Sequence, residues 1–176
     1  MEGRFVEKIE REINQSIAKF RLPRYAELPA MGLYLEQTTK YVNDCLKALG
    51  DVKLTPSMVS NYVKHQIICR PEKKLYGPEQ LADLIFIAVA KNVLQLSDLK
   101  MGIEIQQESS FDVATAYDYF CGELENVLRY VFGYQDTLAK VGTAKGEQKK
   151  MLRSLIMAIS YKVYLDNYFS QAKDGE

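Results

Sequence analysis

The chain has 176 residues, 47% of them hydrophobic, with 23 basic and 23 acidic residues and no net charge. That length suffices for one buried core plus an accessory element, and electroneutrality excludes nucleic-acid binding over the whole surface. Three scattered cysteines (Cys45, Cys69, Cys121) and a single histidine, His65, exclude a disulfide framework and supply no metal-ligand set, so reduced thiols, a cytoplasmic location and no bound metal are expected.

The opening MEGRFVEKIEREINQS is charged from the outset and has no apolar segment of leader type, so a secretory leader is not expected. Within it, Phe5, Ile9, Ile13, Ile17 and Phe20 recur at helical spacing and predict an amphipathic helix over 3–20. Residues 21–32 read as a linker punctuated by Pro23, Pro29 and Gly32. A helix over 33–49 follows, with Thr38, Val42, Cys45 and Leu49 inward and Gly50 closing it in the left-handed position. After a short loop, Thr55-Pro56 starts a helix over 55–66: the hydroxyl caps the first turn, and proline there sacrifices no hydrogen bond. Residues 67–77 read as an extended segment. The next helix, opening at Pro78, is apolar on every side and reads as the buried hub. Its longest apolar run, Leu84 to Ala90, is far too short to span a bilayer, so no membrane partner is expected. Ser97-Asp98 caps a brief helix to about Ile105, and two long helices finish the chain around a Gly- and Lys-rich connection. The fold class is mainly α.

The most informative stretch is Val52 to Pro71, twenty residues without a carboxylate. In its helix, Ser57, Ser60, Asn61 and Lys64 recur at i, i+3, i+4 and i+7 and form one polar stripe, opposite Met58, Val59, Tyr62 and Val63, which are expected to be buried. Small hydroxyls, an amide and a lysine on one acid-free face suit close approach to a DNA major groove. Residues 53–77 carry Lys53, Lys64, Arg70, Lys73 and Lys74 against Glu72 alone, a net +4, whereas residues 97–126 carry a net −6. Such an asymmetry is what a localised DNA contact would produce.

The order helix, loop, helix, basic extended segment and hydrophobic helix is that of a winged helix-turn-helix. The stretch LTPSMVSNYVKHQIICRPEKKLYGPEQLADLIFIAVAKNVLQLSDLK resembles the DNA-binding domain of MerR-type regulators, with Tyr62 at the aromatic position of the recognition helix and Lys74-Leu75-Tyr76 at the wing triplet. Together with LPAMGLYLEQTTKYVNDCL upstream, it is still more similar to the domain of unknown function 1836 family, over residues 22–105 and onward into the helix after 110. The resemblance implies binding of double-stranded DNA through Ser57, Ser60, Asn61, Lys64, His65, Arg70, Lys73, Lys74 and Tyr76. MerR-type proteins usually carry an arginine where Ser60 stands and a second aromatic where Asn61 stands, so phosphate anchoring here falls to Lys64, Arg70 and Lys74.

Other motifs carry less. GTAKG at 142–146 lacks the ending and the preceding strand of a phosphate loop and reads as a helix connection. His65 has no carboxylate or nucleophile partner in the sequence, and Cys69 reads as a small buried hydrophobe. No pattern calls for a cofactor or for catalysis. The aromatic-rich last sixty residues read as core or interface, with an effector pocket as the sharper alternative, although no polar residues converge there to name a ligand. Val113, Tyr117, Phe120, Leu124, Val127 and Val131 form a heptad seam that, with the broad apolar arc of the helix over 147–170, is expected to make a homodimer, the alternative being a monomeric bundle closed on the helix Phe5–Phe20. The expected organisation is an N-terminal helix and linker (1–32), a MerR-like winged helix-turn-helix core (33–107) and a C-terminal helical hairpin (108–176). The expected function is DNA-binding transcriptional regulation, the alternative being a helical protein–protein interaction module.

Overall fold

The computed structural model describes residues 15, 17–109, 111–140 and 146–174. Phe5, Ile9 and Ile13 of the predicted N-terminal helix, and residues 142–145 of the predicted connection, lie outside the described residues. Among the described residues there are six α-helices: α1 (Leu35–Leu46), α2 (Pro56–Lys64), α3 (Pro78–Ala90), α4 (Leu96–Gln107), α5 (Val113–Val131) and α6 (Glu147–Asp174), with 3-10 turns at Tyr25–Glu27 and Lys47–Leu49. The fold is mainly α. Among the described residues there is no strand, only two isolated antiparallel bridges, Leu33 with Tyr76 and Glu72 with Leu75. No helix among them is long and apolar enough to cross a membrane.

Helix α3 is the hub that its sequence predicts. Pro78 sits in its first turn and the Gln80 carboxamide oxygen accepts the Gly77 N–H at 3.0 Å, which closes the N-terminus. Leu81, Leu84, Ile85 and Ile87 are fully buried, and the helix packs against α1, α4, α5 and α6. Helix α4 starts one residue before the predicted Ser97 cap, with Gln95 at the N-cap position, and buries Leu99 and Ile103. Gly50 does not adopt the left-handed C-cap: its φ of +83° and ψ of −127° belong to a region open essentially to glycine alone. A Cβ at that position would also lie 3.1 Å from the Asn167 Oδ1 of α6.

The last two helices do not form the expected hairpin. Lys149 lies 5.5 Å from the Tyr119 ring centroid, Arg153 pairs with Glu123, and the Tyr164 ring is 5.4 Å from Phe132. The offset stays near thirty along both helices, so α5 and α6 run parallel. Past Gly133, residues 134–139 accordingly travel back along α5, and Asn126 holds them there. Its Nδ2 donates to the Ala139 carbonyl at 3.0 Å, while its Oδ1 accepts from Gln135 Nε2 at 2.7 Å and from the Ala139 N–H at 3.2 Å. The proposed dimer seam is likewise corrected. Tyr117, Phe120, Leu124 and Val127 are buried within this one chain, covered by α3, α4 and α6. The heptad spacing marks an internal core helix.

One hub residue makes stability depend on pH. Asp83, part-buried on α3, has its carboxyl pushed up to about 7 by burial and then by Glu79 one turn before it. In the unfolded chain the same group ionises near 4. Between those values the folded state holds a proton that the unfolded state has lost, so stability falls as pH rises from about 4 to about 7. Asp83→Asn is expected to gain roughly 1–3 kcal/mol at pH 8 and nothing at pH 4, measured by urea unfolding at both.

Candidate nucleic-acid interface

Helix α2 is set in place from both ends of the preceding turn. Asn43 of α1 pairs with Leu54 as a strand neighbour would: its Nδ2 donates to the Leu54 carbonyl at 2.9 Å, and its Oδ1 accepts the Leu54 N–H at 2.8 Å. Asn167 of α6 donates to the Leu49 carbonyl at 3.4 Å and to the Val163 carbonyl of its own helix at 2.8 Å. Nothing local in the sequence marks either asparagine, because their partners lie 11 and 118 residues away. The helix then opens as predicted, with Thr55 Oγ1 accepting the Met58 N–H at 3.2 Å and Pro56 in the first turn.

Val59 and Tyr62 are buried and anchor α2 to the core, while Ser57, Ser60, Asn61 and Lys64 are exposed together on the outer side. With Met58 they line a shallow surface concavity. Two expected core positions differ: Met58 is 38% exposed and Val63 is half-buried. A helix of nine residues, Pro56–Lys64 rather than 55–66, has too little surface to bury all four apolar side chains against one core face.

Past the helix, His65 is exposed at the C-cap and its N–H donates to the Asn61 carbonyl at 2.9 Å. Gln66 turns the chain with a φ of +55°, and Ile67 and Ile68 plug into the core. Cys69, expected to be buried, is exposed beside the exposed Arg70, since the two isoleucines before it already fill that part of the core. The buried thiol is instead Cys121, pushed up to about 12 by burial.

The wing reduces to one tight turn. The Leu75 N–H donates to the Glu72 carbonyl at 2.8 Å, and the two central residues, Lys73 and Lys74, both have positive φ, +50° and +68°. Positive φ at both central positions is the signature of a type I′ hairpin, normally filled by Asn-Gly. Here two exposed lysines occupy it. Tyr76 is corrected from contact residue to core residue. It is 5% exposed, and its backbone exchanges two hydrogen bonds with Leu33, at 2.9 and 3.0 Å, which turns the ring inward. Among the described residues, Lys64, Arg70, Lys73 and Lys74 have no carboxylate within ion-pair reach. Four uncompensated cations beside an acid-free helix face can neutralise phosphates of a polyanion. No group of three His, Cys, Asp or Glu side chains among the described residues is arranged to hold a metal ion.

Neither a curated protein nor a solved structure matches the chain. A family model described as Domain of unknown function (DUF1836) matches residues 23–120. The matched span runs from the segment laid on α5 at Pro23, through α1 to α4 with the wing, and into the middle of α5, which is more than half of the chain. The chain therefore belongs to the Domain of unknown function (DUF1836) family.

Proposed function

We propose that this protein is a DNA-binding regulator of transcription built on a MerR-like winged helix-turn-helix. In this reading α2 enters the major groove and the turn at 72–75 rests on the sugar-phosphate backbone. The observation that supports it most is the outer face of α2, where Ser57, Ser60, Asn61 and Lys64 are exposed side by side with no acid among them. The Asn61 amide is the group suited to read a base, because a carboxamide can pair bidentately with adenine N6 and N7. Lys64, Arg70, Lys73 and Lys74 supply the sequence-independent attraction.

The test is a titration of duplex DNA, both random and selected from a random pool, across a range of salt. The wild-type chain is expected to lose affinity linearly in log salt. Asn61→Ala is expected to weaken the selected site by roughly 1–3 kcal/mol while leaving random DNA nearly unaffected. A wild-type chain whose binding ignores salt, or that binds no duplex, would remove this reading in favour of a protein-interaction module.

A further inference from the structure

The segment before α1 is a linker by composition, yet the fold makes it part of the wing. Leu33 and Tyr76 exchange both backbone hydrogen bonds, so they face each other as a directly opposed antiparallel pair. That register places Tyr34 opposite Leu75, the residue that follows Lys74 at the hairpin tip. Because side chains alternate across a strand, Leu33 and Tyr76 share the inward face, and Tyr34 and Leu75 share the outward one. The exposures agree: Tyr76 is buried and Tyr34 is 58% exposed.

Upstream, the Gly32 N–H donates to the Pro29 carbonyl at 3.4 Å and closes a second tight turn. Gly32 has a φ of +75°, and a Cβ there would lie 3.1 Å from the Leu75 Cβ, so this turn is pressed against the hairpin. Met31, at 91% exposure, sits on this turn. The Gly32 turn and the hairpin thus lie against each other, the first carrying a methionine almost wholly in solvent and the second carrying Lys73 and Lys74 at its tip. An exposed methionine and an exposed tyrosine add nothing to the core, and the lysines of the adjoining hairpin have no carboxylate partners among the described residues.

We propose that Met31 and Tyr34 form an apolar contact of the wing with double-stranded DNA, set against sugar edges or a base step in the minor groove while Lys73 and Lys74 hold the flanking phosphates. Apolar wedges framed by cations are a recurring way of engaging that groove, and methionine is among the side chains used. Duplex DNA fits the occupant best because the charge around the wedge is cationic and unpaired. This inference rests on the DNA-binding reading above, and it adds contact residues from outside the helix-turn-helix segment.

The test compares wild type with Met31→Ser combined with Tyr34→Ser, binding a random-sequence duplex with 2-aminopurine at several positions. Both side chains are exposed, so circular dichroism should show an unchanged fold. The variant is expected to lose about tenfold or more in affinity, to show less 2-aminopurine fluorescence enhancement, and to keep the wild-type salt slope, since an apolar contact releases no counterions. A folded variant that binds DNA as tightly as wild type would overturn the wedge and leave the DNA-binding reading intact. Failure of wild type itself to bind would overturn that reading, and the wedge with it.

Discussion

Replacing Lys73 by Asn and Lys74 by Gly is expected to give a protein that is more stable than its parent and binds DNA less tightly. Both lysines hold positive φ at the centre of a type I′ hairpin, +50° and +68°, a conformation that costs a non-glycine residue about 1 kcal/mol or more. Asn-Gly suits these two positions, so the double change should raise stability by about 1–2 kcal/mol. It also removes two cations. If each meets one phosphate, the slope of log affinity against log salt should fall by about 1.8, and affinity at 0.15 M salt by about thirtyfold. Urea unfolding and a salt-series titration read the two halves of this expectation. Backbone strain held where it serves no packing purpose is characteristic of a functional site. A variant more stable and equally avid for DNA would take the wing off the backbone.

Glu125→Ala is expected to destabilise the fold by roughly 3 kcal/mol without touching the proposed interface. Glu125 is buried on α5 and accepts three bonds, from the Leu22 N–H at 2.9 Å and from Arg24 Nη1 and Nη2 at 2.7 and 2.9 Å. One turn and two turns earlier on the same stripe, Cys121 Sγ donates to the Pro23 carbonyl at 3.8 Å and Asp118 accepts the Tyr25 N–H at 2.7 Å. Together they strap residues 22–25 to α5. Removing the carboxylate leaves a part-buried guanidinium without its counter-charge and an N–H without an acceptor, and both losses act in the same direction. The urea midpoint should drop at unchanged m-value. Glu125→Gln, which keeps an acceptor for Leu22, should cost less than Glu125→Ala.

The parts of this protein legible in its sequence are those written within four residues. The Thr55-Pro56 start, the polar stripe Ser57–Lys64 and the all-round apolar α3 follow from caps and helical period, which are local physics. The parallel run of α5 and α6, the burial of the heptad seam and the pairing of the Leu33 segment with the wing are different in kind. Each depends on where the chain returns after a loop, and spacing along one helix cannot report that. The same limit explains the individual residues. Tyr76 looks like a surface aromatic until Leu33 pairs with it and turns it inward. Glu123, Glu125 and Asn126 look like a solvated face, yet they are buried because Arg153, Arg24 and Ala139 meet them from 30, 101 and 13 residues away. Burying a polar group is costly unless a partner replaces water. The sequence by itself determined helices α1 to α6 and the outer face of α2; which polar side chains lie inside, and that the segment bearing Met31 and Tyr34 pairs with the wing, only tertiary pairing decided.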